Sequence, residues 1–193
     1  MEELENAAIV NRLNLIEAMM AEGRHATQRW GWMFLLWGIG PLLAITWESH
    51  WTDPSLAWPV VTVMCVIANG ILIKMSRRKE GVRTTLMRSV GAVWASSGLT
   101  VLLIAIAGTL SGFGDPRSFY VAFFAIVGAA HSASSMILRW LPQFLAAVVW
   151  WAATAAALVL PPGNLRCLSV AALVSNVIFG AWLTYREWSP KNE

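Results

Sequence analysis

At 193 residues the chain has room for one domain, but 57% hydrophobic and 13% charged residues, with a mean hydropathy of +0.57, exclude an ordinary water-soluble globule. The net charge of +3 and pI near 9.2 do not point to nucleic acid, because the basic residues flank apolar runs instead of sharing a polar surface with aromatics. Cys65 and Cys167 stand within or beside apolar segments and read as small core residues, not as a disulfide pair or a zinc site.

The chain opens on the acidic stretch MEELE, the wrong layout for a cleaved signal peptide, so residues 1–29 are expected to stay with the protein. Within them Ile9, Leu13, Ile16 and Met20 recur at spacings of four, three and four, which lines one face of a helix. Glu3, Arg12, Glu17, Glu22 and Arg24 occupy the other faces. An amphipathic helix follows from this pattern. It would lie in the headgroup plane or against the ends of the bundle, or bind a partner or a second copy.

Spanning a bilayer takes about 20 apolar residues, because each helical residue rises about 1.5 Å across roughly 30 Å of hydrocarbon. Six windows meet or approach that length without Asp, Glu, Lys or Arg, at about 30–47, 56–73, 89–110, 119–138, 141–160 and 167–185. The expectation is an all-α membrane protein, a bundle of six transmembrane helices over 30–185 with a short cytoplasmic tail, 186–193. Pro41, close after Gly38 and Gly40, predicts a kink or a locally opened turn in the first span without a break. Polar loops are expected around Glu48, His50, Asp53 and Pro54, around Gly112 to Pro116, and around Pro161 to Asn164. The turn at Trp140, Leu141 and Pro142 is so short that the fourth and fifth spans must be antiparallel neighbours.

The distribution of Lys and Arg sets the orientation. Arg24 and Arg29, the run from Lys74 to Arg88, Arg139, Arg186 and Lys191 fall on one side, against Arg117 and Arg166 on the other. Positive charge accumulates on the cytoplasmic side, so both termini are expected there, in a cell (inner) membrane. Trp30, Trp32, Trp140, Trp182 and Trp188 then mark the inner interface, and Trp47, Trp51 and Trp58 the outer one. Trp37, Trp150 and Trp151 lie too deep for either belt and are expected to pack between helices.

Polar residues inside spans are costly and so carry information. Asn69, Ser96, Ser97, His131, Ser132, Ser134, Ser135 and Asn176 all fall there, mostly in the inner half, where Asn69, Ser97, His131 and Asn176 could line a shared polar cavity for a small-molecule ligand. His131 invites a ligand or proton-carrying role, yet a haem would need a second intramembrane His, and a metal would need carboxylates or thiolates that the spans lack. No metal, cofactor or catalytic residue is therefore assigned. The sequence holds no HExxH, GxSxG or phosphate-binding loop, which argues against an enzyme.

Small residues at Ala125, Gly128, Ala129, Ser132 and Ser135, and at Ala152, Ala153, Ala156 and Ala157, suit close helix approach. In the basic loop Arg77, Arg78, Lys79, Arg83 and Arg88 suffice as a topology signal and could also meet lipid headgroups or an acidic partner. The size and six-span layout are similar to the substrate-binding components of energy-coupling-factor transporters. The first span, however, carries Trp32, Phe34 and Trp37 where their small-residue coupling signature would stand. The preferred expectation is a non-enzymatic membrane component with a partner at its cytoplasmic face; the alternative is a small-solute carrier or substrate-binding subunit.

Overall fold

Hydrocarbon offers backbone amides no water, so a chain this apolar must satisfy its own N–H and C=O groups, and the helix is the local way to do so. The computed structural model describes residues 2–28, 30–50, 56–77, 85–111 and 116–188, which are helical apart from short turns, with no strand among them. The elements are α1 (Glu2–Gln28), α2 (Gly31–His50), α3 (Ala57–Arg77), α4 (Thr85–Ser111), α5 (Pro116–Leu138), α6 (Leu141–Val159) and α7 (Leu165–Trp188). A single 3-10 turn, Pro162–Asn164, links the last two.

Among the described residues, five stretches are long and apolar enough to cross a bilayer: Ala57–Met75, Thr85–Ala107, Arg117–Leu138, Leu141–Val159 and Pro162–Trp188. These mark the chain as a membrane protein. α2 has a comparable 20 residues, the last of them, Glu48, Ser49 and His50, polar. Pro41 lies inside an uninterrupted α2, as expected of a proline that removes one hydrogen bond from a helix supported by neighbours.

Four helices form the packed centre. α5 and α6 make the most extensive contact, followed by α2 and α7, with α7 also touching α6 and α5. α3 lies on α2, and α4 on α5. The α5–α6 turn is as tight as its sequence suggested, with α5 ending at Leu138, α6 starting at Leu141, and Arg139 in the left-handed region at φ 46°. Gly128 lets the hairpin close, because a Cβ there would come within 2.5 Å of the Trp151 ring. Trp150 is buried among Phe123 and Phe124, whereas Trp151 is exposed on one side.

α2 and α7 approach closer still. A Cβ on Gly180 would stand 2.8 Å from the Leu35 amide nitrogen and 2.9 Å from the Gly31 carbonyl, and one on Gly31 would stand 2.9 Å from the Gly180 carbonyl. Backbone meets backbone here, which only glycine permits. On the opposite side of α2, Gly40 leaves room for the Cys65 thiol of α3. Cys65 is thus a core residue as expected, but Cys167 is exposed. At about 100° per residue, Cys167 points away from the face of α7 that buries Leu165, Ser169 and Ala172.

The centre is built from two apolar clusters. One, at the end of the bundle carrying the α5–α6 turn (the turn end), includes Trp30, Phe34, Met87, Val90, Leu138, Trp140, Phe179 and Leu183. The other includes Ile45, Phe124, Trp150, Ala153, Ala157, Leu165, Ala172 and Leu173. At the far end an exposed ion pair, Arg166–Glu48 at 3.2 Å, ties α7 to α2. Arg117 donates to the Leu160 carbonyl at 2.7 Å, which satisfies an acceptor left over at the end of α6.

Among its described side chains, those that anchor α1 lie toward its C-terminal end. Met20 is 8% exposed and Gly23 packs on Leu138, at the turn end of α4, α5 and α7. Ile9, Leu13 and Ile16 are 49%, 55% and 52% exposed. The face drawn from the sequence is therefore split, with one residue buried in the bundle and three open.

Candidate functional site

Between the two apolar clusters lies a polar waist. On α5, His131 falls between Phe124 and Leu138; on α7, Asn176 falls between Leu173 and Phe179. The two side chains face one another, and among the described residues no charged group bears on the imidazole. His131 is 0% exposed, and its ring is enclosed by Trp94 of α4 at 4.9 Å, Phe34 of α2 at 5.5 Å and Phe179 of α7 at 5.8 Å between centroids. Four helices thus contribute to the enclosure.

The close α2–α7 contact is what makes the waist. With backbones touching at Gly31 and Gly180, the Asn176 amide donates to the Phe34 carbonyl at 3.1 Å. A helix carbonyl has a second lone pair for this purpose. Asn176 Oδ1 and both His131 nitrogens have no hydrogen-bond partner of acceptable geometry. Ser134 Oγ and both amide atoms of Gln143 are in the same condition, and both residues are fully buried. Each such group costs about 1–3 kcal/mol if nothing ever satisfies it; His131 and Asn176 stand close enough to bond to one another with little movement, and buried polar groups within apolar helices are functional candidates. The chemistry these side chains offer is hydrogen bonding by neutral donors and acceptors. Among the described residues no group of His, Cys, Asp and Glu could hold a metal.

The residues expected to share a cavity are divided. His131 and Asn176 are brought together. Ser132 and Ser135 are buried nearby on α5, where the Ser135 hydroxyl donates to the Ser132 carbonyl at 2.8 Å. Ser97 is half-buried one turn beyond Trp94, and Ser96 is exposed, its hydroxyl returned to the Val93 carbonyl of its own helix. Asn69 belongs elsewhere. It lies one turn after Cys65 on the face of α3 that meets Gly40, while Asn176 meets the Phe34 side of α2, so α2 stands between the two asparagines.

Gln143 is the residue that sequence reasoning passed over. It stands two residues into α6, directly after the turn at Trp140, Leu141 and Pro142. The register that sets Gly128 against Trp151 puts Gln143 level with Ser135 and Met136, inside the packed end. A polar residue beginning an otherwise apolar run directly opposite a serine cluster was the available signal.

From the waist a row of rings leads to the turn end. Phe179 contacts Trp140 and Trp182, and the Arg186 guanidinium sits 4.9 Å over the Trp182 ring. Of the basic-loop residues, Arg78, Lys79 and Arg83 lie outside the described residues, Arg77 closes α3, and Arg88 is exposed in the first turns of α4. No protein-family model, curated protein or solved structure matches this chain.

Proposed function

We propose that the chain is a non-enzymatic component of a cell (inner) membrane, with six spans, α2 included, and both termini cytoplasmic, that docks a protein partner through α1 at its cytoplasmic face. The observation that supports this reading is the division of α1. Its last turns are locked into the bundle at Met20 and Gly23, while Ile9, Val10, Leu13, Leu15 and Ile16 remain about half exposed. A helix of 27 residues is about 40 Å long, and its stretch 9–18 is exposed and free to meet something else.

Charge argues that this something is not the lipid surface. α1 carries five carboxylates, Glu2, Glu3, Glu5, Glu17 and Glu22, against Arg12 and Arg24. Anionic headgroups of the inner leaflet repel such a helix. A photo-crosslinking residue in place of Leu13, in the full chain in native membranes, tests the reading. One discrete protein adduct is the expected result; crosslinks to lipid alone would defeat it.

A second reading, a small-solute carrier or binding subunit, is favoured by the unpartnered polar atoms of His131, Asn176, Ser134 and Gln143. The separation of Asn69 from that group weighs against the full four-residue site. Native mass spectrometry of the purified chain decides: a small molecule retained by the wild type and lost from His131→Ala would favour the carrier.

A further inference from the structure

One set of residues in α1 has a more specific pattern than amphipathicity, with Val10, Leu15 and Met19 standing outside it. Asn6, Ile9, Leu13, Ile16, Met20 and Gly23 alternate at spacings of three and four, the a and d positions of a heptad: Asn6, Leu13 and Met20 at a; Ile9, Ile16 and Gly23 at d. The bundle occupies the lower end of this seam, since Met20 is buried and Gly23 packs on Leu138 and Leu86. The upper four layers, Asn6 to Ile16, are open.

In this frame Arg12 is a g residue and Glu17 the following e residue. Two parallel copies bring Arg12 of each against Glu17 of the other, twice by symmetry. An antiparallel pair over the same open layers would set Arg12 near Arg12 and Glu17 near the acidic start of the partner, at Glu3 and Glu5. The charges therefore select a parallel, in-register pair, and a bilayer that holds both bundles at the same depth selects the same register.

We infer that α1 pairs with α1 of a second copy of this chain as a short parallel coiled coil, with Ile9, Leu13 and Ile16 in the seam, Asn6 paired at one layer and Arg12–Glu17 bridges flanking it. The inference rests on the docking role given to α1 and names its partner. Four layers are few for a free peptide, but two membrane-held chains meet at high effective concentration. An Asn at a single a position sacrifices some stability to fix the two-stranded register.

The test uses the full chain in lipid vesicles, with Cys167→Ser removing the exposed thiol. Under mild oxidation Ile9→Cys should yield a disulfide-linked dimer, and Asn11→Cys, on the outer side of the helix, should not. Fluorescence transfer between labelled copies should show association weakened about tenfold by either Arg12→Glu or Glu17→Arg, and restored by the two together. Failure of the double variant to restore it, equal crosslinking at Ile9 and Asn11, or a wild type that stays monomeric at every protein-to-lipid ratio would overturn the inference. If the chain is monomeric while the Leu13 photo-crosslink captures a different protein, self-pairing fails and docking stands. If that crosslink finds only lipid, both fail.

Discussion

α4 and α5 are neighbours in sequence and in space, and both are apolar enough to cross a bilayer. Their most apolar windows have hydropathies of 2.0 and 1.8, yet 6% of the α4 window is buried against 44% of the α5 window. α3 resembles α4, at 1.7 and 6%. Hydropathy therefore separates membrane from water but does not separate lipid-facing from protein-facing surface, because lipid tails are as apolar as leucine. What distinguishes α5 is small and polar residues placed against partners: Gly128 under Trp151, and His131 beside Asn176. α4 has similar residues in Ser96, Gly98 and Thr100, but Gly98 meets nothing and both hydroxyls bond back to their own helix.

The sharpest way to break this contrast is to fill the α2–α7 contact. Gly180→Leu should leave little folded protein, and Gly180→Ala should lose about 1–3 kcal/mol in detergent unfolding, since the new methyl group meets backbone that cannot yield. Asn176→Leu removes the bond to the Phe34 carbonyl and should lower stability by about 0.6–2 kcal/mol in the same assay. His131→Phe fills the ring-lined space without polar atoms; stability should hold or rise by about 1 kcal/mol, and a clear loss would show that the imidazole is structurally satisfied. Gly98→Ala should do the opposite of Gly180→Ala, stabilising by about 0.5–1 kcal/mol through helix propensity, and equal damage at the two positions would put α4 in the core. Arg166→Gln, at an exposed pair, should change stability by less than about 1 kcal/mol, an effect that fades with added salt.

Helix positions and the tight α5–α6 hairpin were legible because runs of apolar residues and punctuation by Pro and Gly act locally. The partners of those helices were not. Gly31 and Gly180 attract no notice in a sequence, and they matter only because they meet across a separation of about 150 residues. The candidate site shows the same limit. His131 and Asn176 stood out as polar residues in apolar runs, but the placing of Asn69 across α2 depends on which faces of α2 the two glycines at 38 and 40 present. Gln143 was hidden by its closeness to a turn.

The clasp between α2 and α7 also has a consequence for biosynthesis. The bond from Asn176 to the Phe34 carbonyl joins residues 142 apart. α5 and α6 can pair as soon as they leave the ribosome, but the glycine face of α2 has no mate until α7 has been made. During that interval α2 depends on α3, on lipid or on an insertion chaperone, and a chain that stops before α7 presents an open glycine seam.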